Sequence, residues 1–136
     1  MKIKLLTIVF LSLLLAGCSF AQLQKDPEAL QSEEFVKGAV VKGFPSIPLP
    51  TSAKPIESYG RDKKYGASFI STDSLKKVVD FYSNGLAIGG WEGNLRQVSE
   101  SNFVFDIKNP ANAGTVIINT AADGKQTAIT ISLEPR

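Results

Sequence analysis

Apolar side chains fall on every second position in the last third of the chain. NFVFDIK places Phe103, Phe105 and Ile107 on one side and Val104 and Asp106 on the other. TAITISL repeats the pattern with Ile129, Ile131 and Leu133 against Thr130 and Ser132. A strand turns successive side chains to opposite faces, so this period of two predicts antiparallel strands covered on one side. GTVIINT between them is shorter and more uniformly apolar. Asn109-Pro110 through Gly114 and Asp123-Gly124 supply the turns of a meander. Upstream, KPIESYG and YGASFIS predict two further strands, joined by Arg61-Asp62-Lys63-Lys64 at hairpin length.

The period changes in TDSLKKVVDFYSNGLAIGGW. Leu75, Val78, Val79, Tyr82 and Leu86 recur at helical spacing and form one apolar stripe. Thr72 or Asp73 is expected to cap the first turn. Asp73 with Lys77 and Lys76 with Asp80 lie four residues apart, pairs that each add only a few tenths of a kcal/mol. Asn84-Gly85 weakens the last turns, Gly89-Gly90 supplies the stop, and Trp91 is expected to start the next strand. One helix is available to cover the sheet. The expected fold is therefore α+β over residues 51–136, an antiparallel sheet of about five to six strands in the order ββαββββ with the helix on one face.

Before residue 51 the pattern is different. FPSIPLP sets Pro45, Pro48 and Pro50 at short intervals, which stiffens the chain and bars a continuous helix. Residues 18–50 are expected to form a tether. Within it, Pro27 to Val41 could hold a short helix limited by Gly38 and Gly43, because Leu30, Glu33, Glu34 and Lys37 face one another at steps of three and four.

The first seventeen residues have the layout of a secretory signal: Lys2 and Lys4, an apolar run from Leu5 to Leu15 broken by Thr7 and Ser12, then the small pair Ala16-Gly17. As a helix that run would span roughly 16 Å, about half the hydrocarbon thickness of a bilayer. Leu15-Ala16-Gly17-Cys18, placed at its end, resembles the lipobox of bacterial lipoproteins. The resemblance implies cleavage between Gly17 and Cys18, a diacylglyceryl group on the Cys18 sulfur, and often a further acyl chain on the new amino terminus. Two or more acyl chains give stable membrane attachment, at about 0.8 kcal/mol per buried methylene. Aspartate after the cysteine would resemble an inner-membrane retention signal, whereas Ser19 stands here. The implied location is the outer membrane of a double-membrane cell, or otherwise the outer face of the cell membrane.

A looser resemblance covers roughly Pro45 to Leu133. The pattern carried by Phe81, Tyr82, Leu86, Gly90 and Trp91 is similar to that of a small helix-on-sheet module of poorly characterised bacterial lipoproteins. It implies packing roles for these residues and no catalytic set.

Charge narrows the partners. Loss of Lys2 and Lys4 with the signal would reduce the 15 basic residues to 13, equal to the 13 acidic ones. Such balance gives no general attraction to nucleic acid. Chemistry narrows them further. The chain has no histidine, and its one cysteine is assigned to lipid, which removes the commonest general base, thiolate nucleophile and zinc ligands. No glycine-rich loop has phosphate-cradling spacing, and no carboxylate group has the spacing of a calcium loop. Ser74 and Lys77 can share a helix face as a nucleophile and base, but their positions fit a helix start and a solvated face. Neither cofactor nor metal is implied, and no enzyme activity.

Two surface features are candidates for binding. Arg61, Lys63 and Lys64 form a basic turn of the kind that favours anionic lipid. Ile70, Val104 and Ile117 would share the sheet face opposite the helix if Phe69, Phe103 and Phe105 point toward it, and contiguous apolar residues there would mark a partner surface. The expected function is a lipid-anchored, non-enzymatic interaction or structural module of the envelope that works through its open sheet face or an edge strand. The alternative is a small-ligand domain with a pocket between helix and sheet, lined by Tyr59, Tyr65 or Trp91.

Overall fold

The computed structural model describes residues 33–136. The expected signal segment, Gly17 and Cys18, and the first part of the Pro27 to Val41 stretch lie outside the described residues. In the hairpin predicted around Arg61, Asp62 and Lys63 have φ of +50° and +61°, the signs that a type I′ turn requires at both central residues. That turn joins β2 (Ala53–Arg61) to β3 (Lys64–Ser71) with the twist natural to paired strands.

From β3 the chain enters α1 (Leu75–Gly85). Ser74 is the capping residue, correcting the expectation of Thr72 or Asp73: its backbone is extended and its hydroxyl accepts the Lys77 N–H at 3.3 Å. Asp73 is occupied elsewhere, accepting from Lys77 Nζ at 2.6 Å and from Ser52 Oγ at 2.5 Å. Lys76 pairs with Asp80 as expected. The helix stops at Gly85; beyond it the Trp91 N–H closes back on the Leu86 carbonyl at 3.0 Å, with Gly90 at φ +82°.

Four more strands follow: β4 (Glu92–Ser99), β5 (Asn102–Lys108), β6 (Asn112–Thr120) and β7 (Thr127–Pro135). With β1 (Glu33–Lys37) they make one antiparallel sheet of seven strands in the order β1-β2-β3-β7-β6-β5-β4. The connection through α1 carries the chain from β3 to the far edge, and the meander returns until β7 pairs with β3. Because it must cross the sheet to do this, α1 is positioned to cover one face.

The expected fold is corrected in its strand count. From β2 onward the order is ββαββββ, and β1 adds a strand where a short helix was considered, its five residues paired with β2 from Glu33↔Arg61 to Lys37↔Glu57. The second half of the expected tether is also part of the folded body. Val41 is buried with its N–H on Ser58 Oγ at 2.8 Å, while Phe44, Ile47 and Leu49 pack against the core. The prolines do keep this stretch out of helix and sheet. A turn closed by the Phe44 N–H on the Val41 carbonyl at 3.2 Å, with Gly43 at φ +84°, brings the stretch back over the sheet with its apolar side chains inward.

Phe105, Val116, Ile131 and Ala67 stand side by side across β5, β6, β7 and β3, and Phe103, Ile118, Ile129 and Phe69 form the next row. Val78, Val79, Tyr82 and Leu86 close over this face. Each large apolar side chain fully buried here contributes roughly 1.5–3 kcal/mol. The residues of the aromatic-glycine pattern act in packing: Tyr82 and Trp91 are buried, and the Trp91 indole N–H donates to the Ser46 carbonyl at 2.9 Å, pinning the strap to the helix end.

Candidate functional site

The face of the sheet away from α1 has no covering layer among the described residues. Strand pairing fixes what it displays. One row runs from Phe35 on β1 through Tyr59, Gly66, Ser132, Thr115 and Asp106 to Asn94 on β4, each residue directly opposite the next. Phe35 and Tyr59 are about half exposed, at 54% and 49%. The Tyr59 ring extends over Gly66, where a Cβ would lie only 2.3 Å from its Cε1 and Cζ atoms. A glycine at this position gives the ring a seat on the sheet, and the ring in turn covers backbone that the glycine leaves bare.

Beside this row runs a second one of charged residues and one alanine. Lys64 reaches Glu134 at 3.9 Å, Ala113 follows, and Lys108 reaches Glu92 at 3.0 Å. Between the rows the surface sinks into two hollows that share Gly114. One of about 320 Å³ is bordered by Tyr59, Lys64, Thr115, Ser132 and Glu134; the other, of about 480 Å³, is bordered by Asn94, Asp106, Lys108, Ala113 and Glu92. The floor is the backbone of the row between them, Tyr65, Leu133, Gly114, Ile107 and Gly93, whose larger side chains pack on the helix side. At Gly114 no other residue fits, because a Cβ would lie 1.9 Å from the Ser132 carbonyl oxygen.

Electrostatically the groove is balanced. Arg96 binds Asp106 in a bidentate fork, Nε donating to Oδ2 at 2.5 Å and Nη2 to Oδ1 at 3.0 Å, and this donation holds the Asp106 carboxyl below the usual carboxylate range. Asp73 is likewise lowered, first by the Lys77 ammonium and then by the Ser52 hydroxyl. Asp123 is lowered by the Gln126 and Lys125 backbone N–H groups that it accepts in the β6–β7 turn. Burial pushes the Tyr82 phenol up, so it stays protonated.

The residues expected to form a surface are only partly brought together. Ile70, Val104 and Ile117 do stand on the open face, and Val104 pairs directly with Ile117. Ile70 lies apart, opposite Ala128. Val104 is only 8% exposed: Arg96 stands directly opposite it and reaches along β5 to Asp106. The three therefore form no contiguous exposed patch, which corrects that expectation. The exposed aromatic groups of this face are instead Phe35 and Tyr59. The basic turn is also not a simple positive patch. Arg61 lies 3.5 Å from the Asp62 carboxylate, Lys64 faces Glu134, and Glu34 borders the same small depression as Lys42 and Lys63.

The rings considered for a pocket under the helix are dispersed. Trp91 is packed solid, Tyr65 stands edge-on to Phe44 with ring centroids 5.7 Å apart, and Tyr59 lies on the other face. A cleft of about 340 Å³ does run beside the end of α1, bordered by Ser83, Leu86, Ala87, Glu92 and Gly93, with Tyr82 and Trp91 beneath. The Tyr82 hydroxyl is buried there without a hydrogen-bond partner. Both sheet edges carry features that discourage strand addition: β4 bears Glu92 and Arg96 and is kinked between Gln97 and Ser99, and β1 is five residues long with three charges in EEFVK.

Ser74 and Lys77 are joined only through the helix cap, Ser74 Oγ accepting the Lys77 backbone N–H while the Lys77 ammonium turns to Asp73. Among the described residues there is no group of three or more carboxylate, histidine or cysteine side chains placed to hold a metal ion. No described helix is long and apolar enough to cross a membrane. No known protein family, curated protein or solved structure matches the chain.

Proposed function

We propose that this chain is a lipid-anchored protein of the bacterial envelope whose small α+β domain binds a partner, without catalysis, through the sheet face opposite α1. Its anchor is the acylated Cys18, and its site of action is the outer membrane where one exists, or the outer face of the cell membrane otherwise. One observation carries the binding half of this reading: Tyr82, Trp91 and Phe69 fill the space between helix and sheet, whereas the open face holds the groove, with two half-exposed aromatic residues at one end. Four residues at the end of a correctly proportioned signal support the anchor.

The test of the anchor is metabolic labelling with an alkyne fatty acid and cell fractionation, comparing the parent with Cys18→Ser. The reading expects label and membrane retention in the parent, and loss of both in the variant. Retention of the unlabelled variant would refute it. A second reading, small-ligand binding, is favoured by the unpartnered Tyr82 hydroxyl beside the 340 Å³ cleft. In that case Tyr82→Phe would abolish ligand binding and Tyr59→Ala would not.

A further inference from the structure

We propose that the groove across the open sheet face binds an extended, uncharged oligosaccharide with β-linked sugar rings; the assignment rests on the reading of that face as the binding surface. The first argument is shape. The groove crosses β2, β3, β7, β6, β5 and β4 in register, five strand spacings or roughly 24 Å at about 4.8 Å each. An extended β-linked sugar chain advances by about one strand spacing per ring, so successive rings meet successive strands.

The second argument is chemistry. Tyr59 at one end offers a half-exposed aromatic ring, a surface suited to the C–H face of a sugar. Ser132 and Thr115 place hydroxyls along the middle, and Asn94 with the Asp106 carboxylate offers an amide and an acceptor at the other end. These groups suit a ligand rich in hydroxyls. A peptide lying here would gain little, because the floor consists of paired strands whose backbone groups already bond to one another.

The third argument is charge. Every ion-bearing side chain along the groove has an opposite partner: Lys64 with Glu134, Lys108 with Glu92, Arg96 with Asp106. Such balance offers no field to select an anion or a cation, and an uncharged polar chain matches it.

The test is calorimetric titration of the full-length lipidated protein in detergent micelles with three probes: the β-1,4-linked hexamers of N-acetylglucosamine and of glucose, and the coiled α-1,4-linked glucose hexamer. Binding is expected for at least one β-linked hexamer and at least tenfold weaker for the α-linked one. Tyr59→Ala should weaken it about tenfold or more, the loss of one stacked ring, and Tyr59→Phe should retain it. Ser132→Leu, which puts bulk into the groove from an exposed position, should also weaken it while leaving the thermal unfolding midpoint unchanged. Absence of binding by both β-linked probes, or equal binding by Tyr59→Ala and the parent, would overturn the assignment. If those titrations fail while a photo-crosslinker at position 35, beside Tyr59, captures a protein in cells and one on the helix does not, the sugar is wrong and the binding face stands. If neither is captured, the face is wrong as well.

Discussion

Gly66 and Gly114 are both hemmed in, but by different neighbours, and alanine at each should act differently. At Gly66 the obstacle is the outer end of the exposed Tyr59 side chain, which can swing away. Gly66→Ala should therefore cost less than about 1 kcal/mol in urea unfolding while displacing the ring, so that it binds like Tyr59→Ala. At Gly114 the obstacle is the Ser132 backbone in the middle of the sheet, which cannot move alone. Gly114→Ala should cost about 3 kcal/mol or more, or prevent folding. A similar cost at the two positions would contradict this account of the ring. The Arg96–Asp106 pair makes a separate prediction. Since the folded Asp106 pKa lies below its ordinary value of 3.8, the stability it contributes is complete above that value and is lost as pH falls through the folded pKa. The difference in urea midpoint between the parent and Asp106→Asn should be flat from pH 7 to about 5 and shrink below about 4. Because both side chains are half exposed, it should also shrink with added salt.

Among the elements, those with a clear period could be read from sequence alone. Phe103, Phe105 and Ile107 turn to the helix as their alternation requires, and Val78, Val79 and Tyr82 form the buried stripe of α1. β1 was not legible, because EEFVK has no alternation and its charges at steps of three and four suit a helix as well; its strand form comes from pairing with β2. The aromatic end of the groove was hidden for the same reason. Phe35 and Tyr59 are 24 residues apart, and only the β1–β2 register makes them neighbours. Alternation placed Val104 on the open face, but its covering depends on the β4–β5 register that sets Arg96 beside it. The proline-rich strap offers a test at this scale. Trp91→Phe keeps the apolar bulk but leaves the Ser46 carbonyl without its donor. It should cost about 1–3 kcal/mol and speed amide exchange in residues 44–49 more than in β6 or β7. Uniform loss of protection would mean that the strap is not a separate unit.

At the scale of the whole molecule, α1 and the strap close one face of the sheet, and among the described residues nothing covers the other. Fourteen residues lie between Cys18 and Glu33, so an acylated Cys18 would keep the domain within roughly 50 Å of the membrane that holds it. Confinement of this kind raises the local concentration of the open face against whatever lies at that height. The direct test is photo-crosslinking in intact cells, with an aryl-diazirine side chain placed at position 35, beside Tyr59 on the open face, or at position 76 on the exposed side of α1. The account predicts a discrete crosslinked product from position 35, lost with Ser132→Leu, and none from position 76. Capture from position 76 alone, or equally from both, would contradict it.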